Sequence, residues 1–123
     1  MSVSATSLVP FVHVADVERS IAFYKYLGFK VGNTFEPEGK LAWAWLHNES
    51  ANLMLARADA PVDPAIQGVL FYVYVADVAA AHAELSSKGI LVGPIRSPFY
   101  APRGEFRVAD PDGYVVMVTH VGD

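Results

Sequence analysis

The chain contains no cysteine. Disulfide staples, thiolate nucleophiles and zinc–thiolate centres are excluded with it. No apolar run approaches the ~20 residues that cross a bilayer as a helix. The N-terminal MSVSATS lacks a basic region followed by an apolar stretch, so no signal peptide is expected and a cytoplasmic location is the default. Basic clusters are missing too, and the formal charge is -4, which leaves no electrostatic footprint for nucleic acid. There is no glycine-rich phosphate loop. The four histidines include no short two-histidine motif, so spacing alone specifies no metal cluster.

What is present is a folded chain that spells one stretch twice. Hydrophobic residues make up 53% and charged residues 18%, a balance that argues against disorder. V-A-D-V occurs in FVHVADVERS (11–20) and again in YVYVADVAAA (72–81). From Val14 to Val75 is 61 positions, about half of the 123 residues. The same offset relates Gly28 to Gly89, Val31 to Val92 and Gly32 to Gly93. Two copies at so long a period point to a duplicated supersecondary unit rather than a solenoid.

Each copy has the same order of elements. In the first, alternation predicts a strand over 8–14, with Val9, Phe11 and His13 on one face and Val12 and Val14 on the other. Pro10 favours a sheet edge or an irregular start. Asp16 is the predicted N-cap of a helix over 17–27, whose stripe is Val17, Ile21, Tyr24 and Leu27. Gly28 ends it. Strands are predicted at 29–36, 40–48 and 51–58, and DAPVDPAIQG (59–68) is a linker. The second copy repeats the order: a strand over 69–75, Asp77 as cap, a helix over 78–88 stopped by Gly89, then ILVGPI beginning a strand that its proline can interrupt. SPFYAPRG is a turn-rich loop, and 105–110 and 114–120 pair around DPDG. That turn is better read as a backbone device than as a metal site, because its aspartates can accept from their own amides. The prediction is one α+β domain of two βαβββ modules, 8–58 and 69–120.

With those elements placed, D-x-x-x-S-I-A-F-Y-x-x-L-G-F from Asp16 to Phe29 resembles the first-module signature of the vicinal oxygen chelate superfamily. F-R-V-A-D-P-D-G-Y-V-V from Phe106 to Val116 resembles the second. That superfamily includes glyoxalase I, extradiol dioxygenases, fosfomycin-resistance enzymes and bleomycin-resistance proteins. The resemblance covers about 8–120 and implies a mixed sheet curled into a cup-shaped groove, and a homodimer in which each groove is often formed across both chains. In metal-dependent members four strand residues hold a divalent ion. The matching positions here are Val9, Met54, Leu70 and Met117. Divalent ions want imidazole nitrogen and carboxylate oxygen, and none of the four supplies either. The expectation is therefore no metal and no other cofactor.

Taking the implied concave side as that of Val9, Leu70, Met54 and Met117, strand parity adds Phe11, His13, Tyr72, Tyr74, Asn52, Ala56, Val115 and Thr119. Trp43 and Trp45 join the set if their face is the concave one. His47 shares their parity and fits the rim. His82 falls beside the buried helical stripe, and His120 near the terminus has no assigned role. Phe99, Tyr100 and Arg103 lie in the loop that, in bleomycin-resistance-like members, shapes the ligand groove. Arg103 can meet a carboxylate or phosphate. The expected ligand-binding residues are thus Phe11, His13, Trp43, Trp45, Met54, Leu70, Tyr72, Tyr74, Phe99, Tyr100, Arg103 and Met117. Their character is that of an organic-ligand pocket. The resemblance implies metal-independent binding, in the manner of sequestration, of a hydrophobic or aromatic small molecule that an acidic protein could also favour as a cation. The competing expectations are a lyase, epimerase or dioxygenase of the same superfamily, with His13 as general acid or base, and a protein-interaction module.

Overall fold

In the computed structural model, which describes residues 3–4 and 6–121, both predicted caps are made. The Asp16 carboxylate accepts from the Arg19 amide at 3.2 Å, and that of Asp77 accepts from the Ala80 amide at 2.9 Å. They open α1 (Val17–Lys25) and α2 (Val78–Ser87). The helix exits are also alike. Gly28 donates to Lys25 O and Phe29 to Tyr24 O; Gly89 donates to Ser86 O and Ile90 to Leu85 O. Both glycines have positive φ, +89° and +81°, the left-handed turn that closes a helix through this bond pair. The regular helices end earlier than the predicted 27 and 88. Around the first exit the tighter i→i+3 bonds from Tyr26, Leu27 and Gly28 replace α-helical ones.

The described residues divide into one unit ending at Val62 and another beginning at Asp63. In the first unit, β1 (Phe11–Val14) lies parallel to β4 (Ala51–Arg57), and β3 (Trp43–Asn48) and β2 (Lys30–Phe35) follow antiparallel, giving the order β1-β4-β3-β2. The β3–β4 turn uses Glu49 at φ +52°. α1 packs on β3 and β4. Val12, Val14, Ala44, Leu46, Leu53 and Leu55 are buried, as are Val17, Ile21, Phe23 and Tyr24 of the helix. Tyr24 is the largest side chain in this core, with the rings of Phe23 and Phe29 edge-on to it at 5.0 and 6.0 Å. The strand predicted over 8–14 is shorter than expected. Pro10 cannot donate to a ladder, although its carbonyl accepts from Met54 N at 2.8 Å.

In the second unit β5 (Leu70–Val75) lies parallel to β7 (Val115–His120), and β6 (Glu105–Ala109) pairs antiparallel with β7. One predicted strand is reduced. Between α2 and β6 only two isolated bridges form, Val92 with Val108 and Arg96 with Glu105. Pro94 stands between them and has no N–H to contribute. The DPDG turn is held by Asp110, whose Oδ1 accepts from Asp112 N and Tyr114 N, both at 2.9 Å. Gly113 takes φ +85°, and a Cβ there would stand 2.5 Å from Pro64.

The duplication extends to register. Phe11 pairs with Met54, and Tyr72, 61 positions after Phe11, pairs with Met117. Met54 pairs in turn with Trp45, and Met117 with Arg107. Trp43 and Trp45 of β3 therefore correspond to Glu105 and Arg107 of β6. The two units share a backbone plan but place different chemistry on it. Among the described residues, no helix is long and apolar enough to cross a membrane.

Candidate functional site

Each sheet buries one face and leaves the other open. In the first unit the alternation Phe11-Val12-His13-Val14 exposes Phe11 and His13 and buries the valines. Strand pairing carries Met54 and Ala56 to the side of Phe11 and His13, and Trp45 and Trp43 to the side of Met54 and Ala56. Phe35 pairs with Trp43 and His47 with Asn52 at the margins of this face. Trp43, Trp45 and His47 are half-buried, and the Trp45 indole N–H donates to Asn52 Oδ1 at 3.0 Å. The two indoles meet edge-on at 6.5 Å, and Phe11 and His13 do so at 5.5 Å. Bonded at one edge, Trp45 still offers its ring.

In the second unit the open face of β5 carries Leu70, Tyr72 and Tyr74, which are 45%, 45% and 61% exposed. They stand opposite Val115, Met117 and Thr119 of β7. The other face, with Phe106, Val108, Val116 and Val118, is buried. Val78 and Leu85 of α2 are buried as well, and His82 lies edge-on to Phe106 at 4.9 Å. His82 is half-buried, with Nε2 2.9 Å from Gly93 O.

The loop residues separate into different roles. Phe99 is 95% exposed, with its ring edge-on to Tyr100 at 5.4 Å. Arg103 is engaged within its own unit. Its amide donates to His120 Nε2 at 3.1 Å, and its guanidinium donates to the Val121 carbonyl. His120, given no role from sequence, is buried and pins this loop to the end of β7. Its position near the terminus concealed that; the buried inner face of β7 was the available signal.

Tyr100 turns the other way. Its hydroxyl donates to Glu105 Oε2 at 3.2 Å. The two border a cavity of about 370 Å³ that Gly93, Pro94, Arg96, Phe106, Arg107 and Met117 also line. Of these, sequence reading had singled out only Tyr100 and Met117. Arg96, Glu105 and Arg107 were missed because the parity of β6 has no meaning for a site until its register against β7 is known. A broader depression at the exit of α1 is lined by Lys25, Gly28, Phe29, Lys30 and Val31 and offers no acceptor side chain.

Glu105 raises the pKa of the Tyr100 phenol above its usual 10.0, first through its negative charge, then with burial and the hydrogen bond adding to it. The phenol, protonated at neutral pH in any case, stays a donor to a higher pH than usual. It also fixes the sign of the linkage. Below the usual phenol pKa both folded and unfolded chains hold the proton. Above it the unfolded chain ionises first, so the contribution of this contact to stability is lost as pH rises. A spectrophotometric tyrosine titration is expected to show one late-ionising phenol that moves back towards 10.0 in Glu105→Gln and vanishes in Tyr100→Phe. An unchanged titration in Glu105→Gln would contradict the assignment.

The positions implied for a divalent ion do not fit one. Met54 and Met117 lie centrally on their sheets, Leu70 is on β5, and Val9 precedes β1. Two thioethers and two hydrocarbon side chains are not a donor set for a hard or borderline cation. Among the described residues, no three of His, Cys, Asp and Glu come together in a group able to hold a metal.

The sequence profile of the Glyoxalase/Bleomycin resistance protein/Dioxygenase superfamily matches residues 8–118, and the chain belongs to that superfamily. Solved structures agree on the fold. A bleomycin-binding protein complexed with bleomycin aligns with TM-score 0.77 at 17% identity, over 96% of this chain and 100% of that one. The bleomycin-binding protein of Streptomyces verticillus, complexed with copper(II)-bleomycin, gives 0.70 at 22%, over 99% and 100%. A possible glyoxalase from Bacillus cereus gives 0.69 at 26%, over 94% and 99%. No curated protein matches the chain.

Proposed function

We propose that this protein binds a small organic molecule with aromatic or cationic groups, without a metal ion and without transforming it. The observation that carries the reading is the open face of each sheet. Phe11, His13, Trp43, Trp45 and Met54 line one; Leu70, Tyr72, Tyr74 and Met117 line the other. Aromatic side chains left in water on a sheet face have unspent burial and stacking to give to a planar ligand. Phe99, Tyr100 and Arg103 are included as loop contacts, with Arg103 acting mainly through the position of its loop. Solved relatives of the same fold hold bleomycin, which makes sequestration of an antibiotic-like molecule the first case to try. A donor set without oxygen or nitrogen favours affinity over Lewis-acid chemistry. A cytoplasmic location is part of the reading, and so is a homodimer, which the family resemblance supports. A sedimenting monomer at micromolar concentration would remove the homodimer.

The test is a panel of aromatic and cationic compounds, bleomycin among them, read by thermal shift and tryptophan fluorescence, with mass analysis of each compound after incubation. The reading predicts saturable binding of an unchanged compound. Turnover that disappears in His13→Ala while affinity remains would establish an enzyme instead. A specific protein partner together with an empty panel would establish an interaction module.

A further inference from the structure

The cavity beside β6 contains polar groups whose partners the protein does not supply. Glu105 is 6% exposed. Its Oε2 accepts from Tyr100, and its Oε1 is buried with no hydrogen-bond partner. Leaving a carboxylate oxygen desolvated and unpaired is costly, so such an atom calls for an explanation. Arg96 and Arg107 line the same cavity. Among the described residues neither guanidinium has a carboxylate or carbonyl partner. Met117, Phe106 and Pro94 give the remaining wall an apolar character.

The register explains why this chemistry is assembled here. Glu105 and Arg107 alternate with the buried Phe106 and Val108, so both project to the open side of β6. Arg96 is brought to Glu105 by the backbone bridge between them, with Arg96 N donating to Glu105 O at 2.9 Å and Glu105 N to Arg96 O at 2.8 Å. Pro94 interrupts that segment as a strand, while Gly93 donates to Arg107 O at 2.8 Å and approaches β6 so closely that a Cβ would stand 3.3 Å from the same oxygen. The first unit has tryptophans at the positions matching Glu105 and Arg107.

We propose that this cavity is a subsite for a zwitterionic head on an apolar body, such as an α-amino acid or the amino-acid-like end of a larger compound. The ligand's ammonium donates to Glu105 Oε1, and its carboxylate accepts from the Arg107 and Arg96 guanidiniums. The side chain lies on Met117 and Phe106. Tyr100 acts as a positioning residue, holding Oε2 so that Oε1 is the oxygen left to accept from the ligand. A purely cationic ligand would meet two arginines, and a purely anionic one would meet Glu105. The zwitterion alone satisfies both. This subsite deepens the small-molecule reading above by naming a part of the ligand, and it is tested with probes that do not depend on bleomycin.

The experiment is an amide NMR titration of the full chain with phenylalanine, phenethylamine and 3-phenylpropionate, which share a body and differ in the head. Phenylalanine is expected to shift Gly93, Arg96, Glu105 and Arg107 saturably and to bind at least about tenfold more tightly than either of the others, as a charge-assisted hydrogen bond supports. Glu105→Gln should weaken phenylalanine about tenfold and leave 3-phenylpropionate no weaker. Arg107→Gln, at an exposed position where folding is not at stake, should weaken phenylalanine and leave phenethylamine no weaker. Equal binding of the three probes, no binding of phenylalanine, or an unchanged phenylalanine affinity in Glu105→Gln would each overturn the subsite. If these fail while a panel compound still binds saturably, only the subsite falls. If phenylalanine selects this cavity and no panel compound binds, the subsite stands and the ligand role of the two aromatic sheet faces falls.

Discussion

Trp45→Ala is expected to weaken a bound aromatic ligand by about 30-fold or more, the loss typical when a central aromatic anchor is truncated. Trp45 pairs with Met54 in the middle of the first sheet and meets Trp43 edge-on. Its indole N–H is already committed to Asn52. The residue's contribution to a ligand is therefore its ring rather than its donor, and Trp45→Phe should retain most of the affinity. The cost to folding should be modest, about 1–2 kcal/mol, because the side chain is only half-buried. Fluorescence titration of the tightest panel compound, paired with urea unfolding of the same variants, separates the two effects. Equal affinity in Trp45→Ala and wild type would remove this face from the binding site.

The opposite pattern is expected at Tyr24. This side chain is 1% exposed and wedged between Phe23 and Phe29 under the first sheet. Alanine there removes a ring from a packed layer and leaves a cavity, a change that costs about 3–5 kcal/mol. A small domain has only about 5–15 kcal/mol to lose, so much of the stability would go. Ligand affinity of the fraction still folded should not change, because Tyr24 lies on the helix side of the sheet. A urea midpoint within error of wild type would contradict this account of the core.

Local chemistry made much of the fold legible. Asp16 and Asp77 announce the helices and Gly28 and Gly89 end them, because capping and the left-handed turn depend on the residue itself and its near neighbours. The alternation of FVHV was equally readable, since one buried face fixes parity. What lay beyond the sequence depended on partners. The strand predicted to begin at ILVGPI survives as two bridges, on either side of a proline that lacks one donor, and how far that disruption spreads is decided by β6. His120 appeared bland until the 103 loop closed onto it. Glu105 and Arg107 alternate with core residues as plainly as Tyr72 and Tyr74 do. Their charges carry no site signal in the sequence; register places them beside Met117, Tyr100 and Arg96. The aromatic candidates were accessible to pattern reading; the polar ones required the pairing.

Metal-independent binding without chemistry is tested most directly by one calorimetric experiment. The untagged protein is dialysed against a chelator, titrated with the tightest panel compound, and titrated again after single additions of zinc, nickel, manganese, iron or magnesium ions. The account predicts saturable binding in the chelated protein, an affinity that changes less than about twofold with any ion, and recovery of the compound with its mass unchanged. Binding that appears only after an ion is added, or a compound converted in proportion to protein and ion, would contradict it.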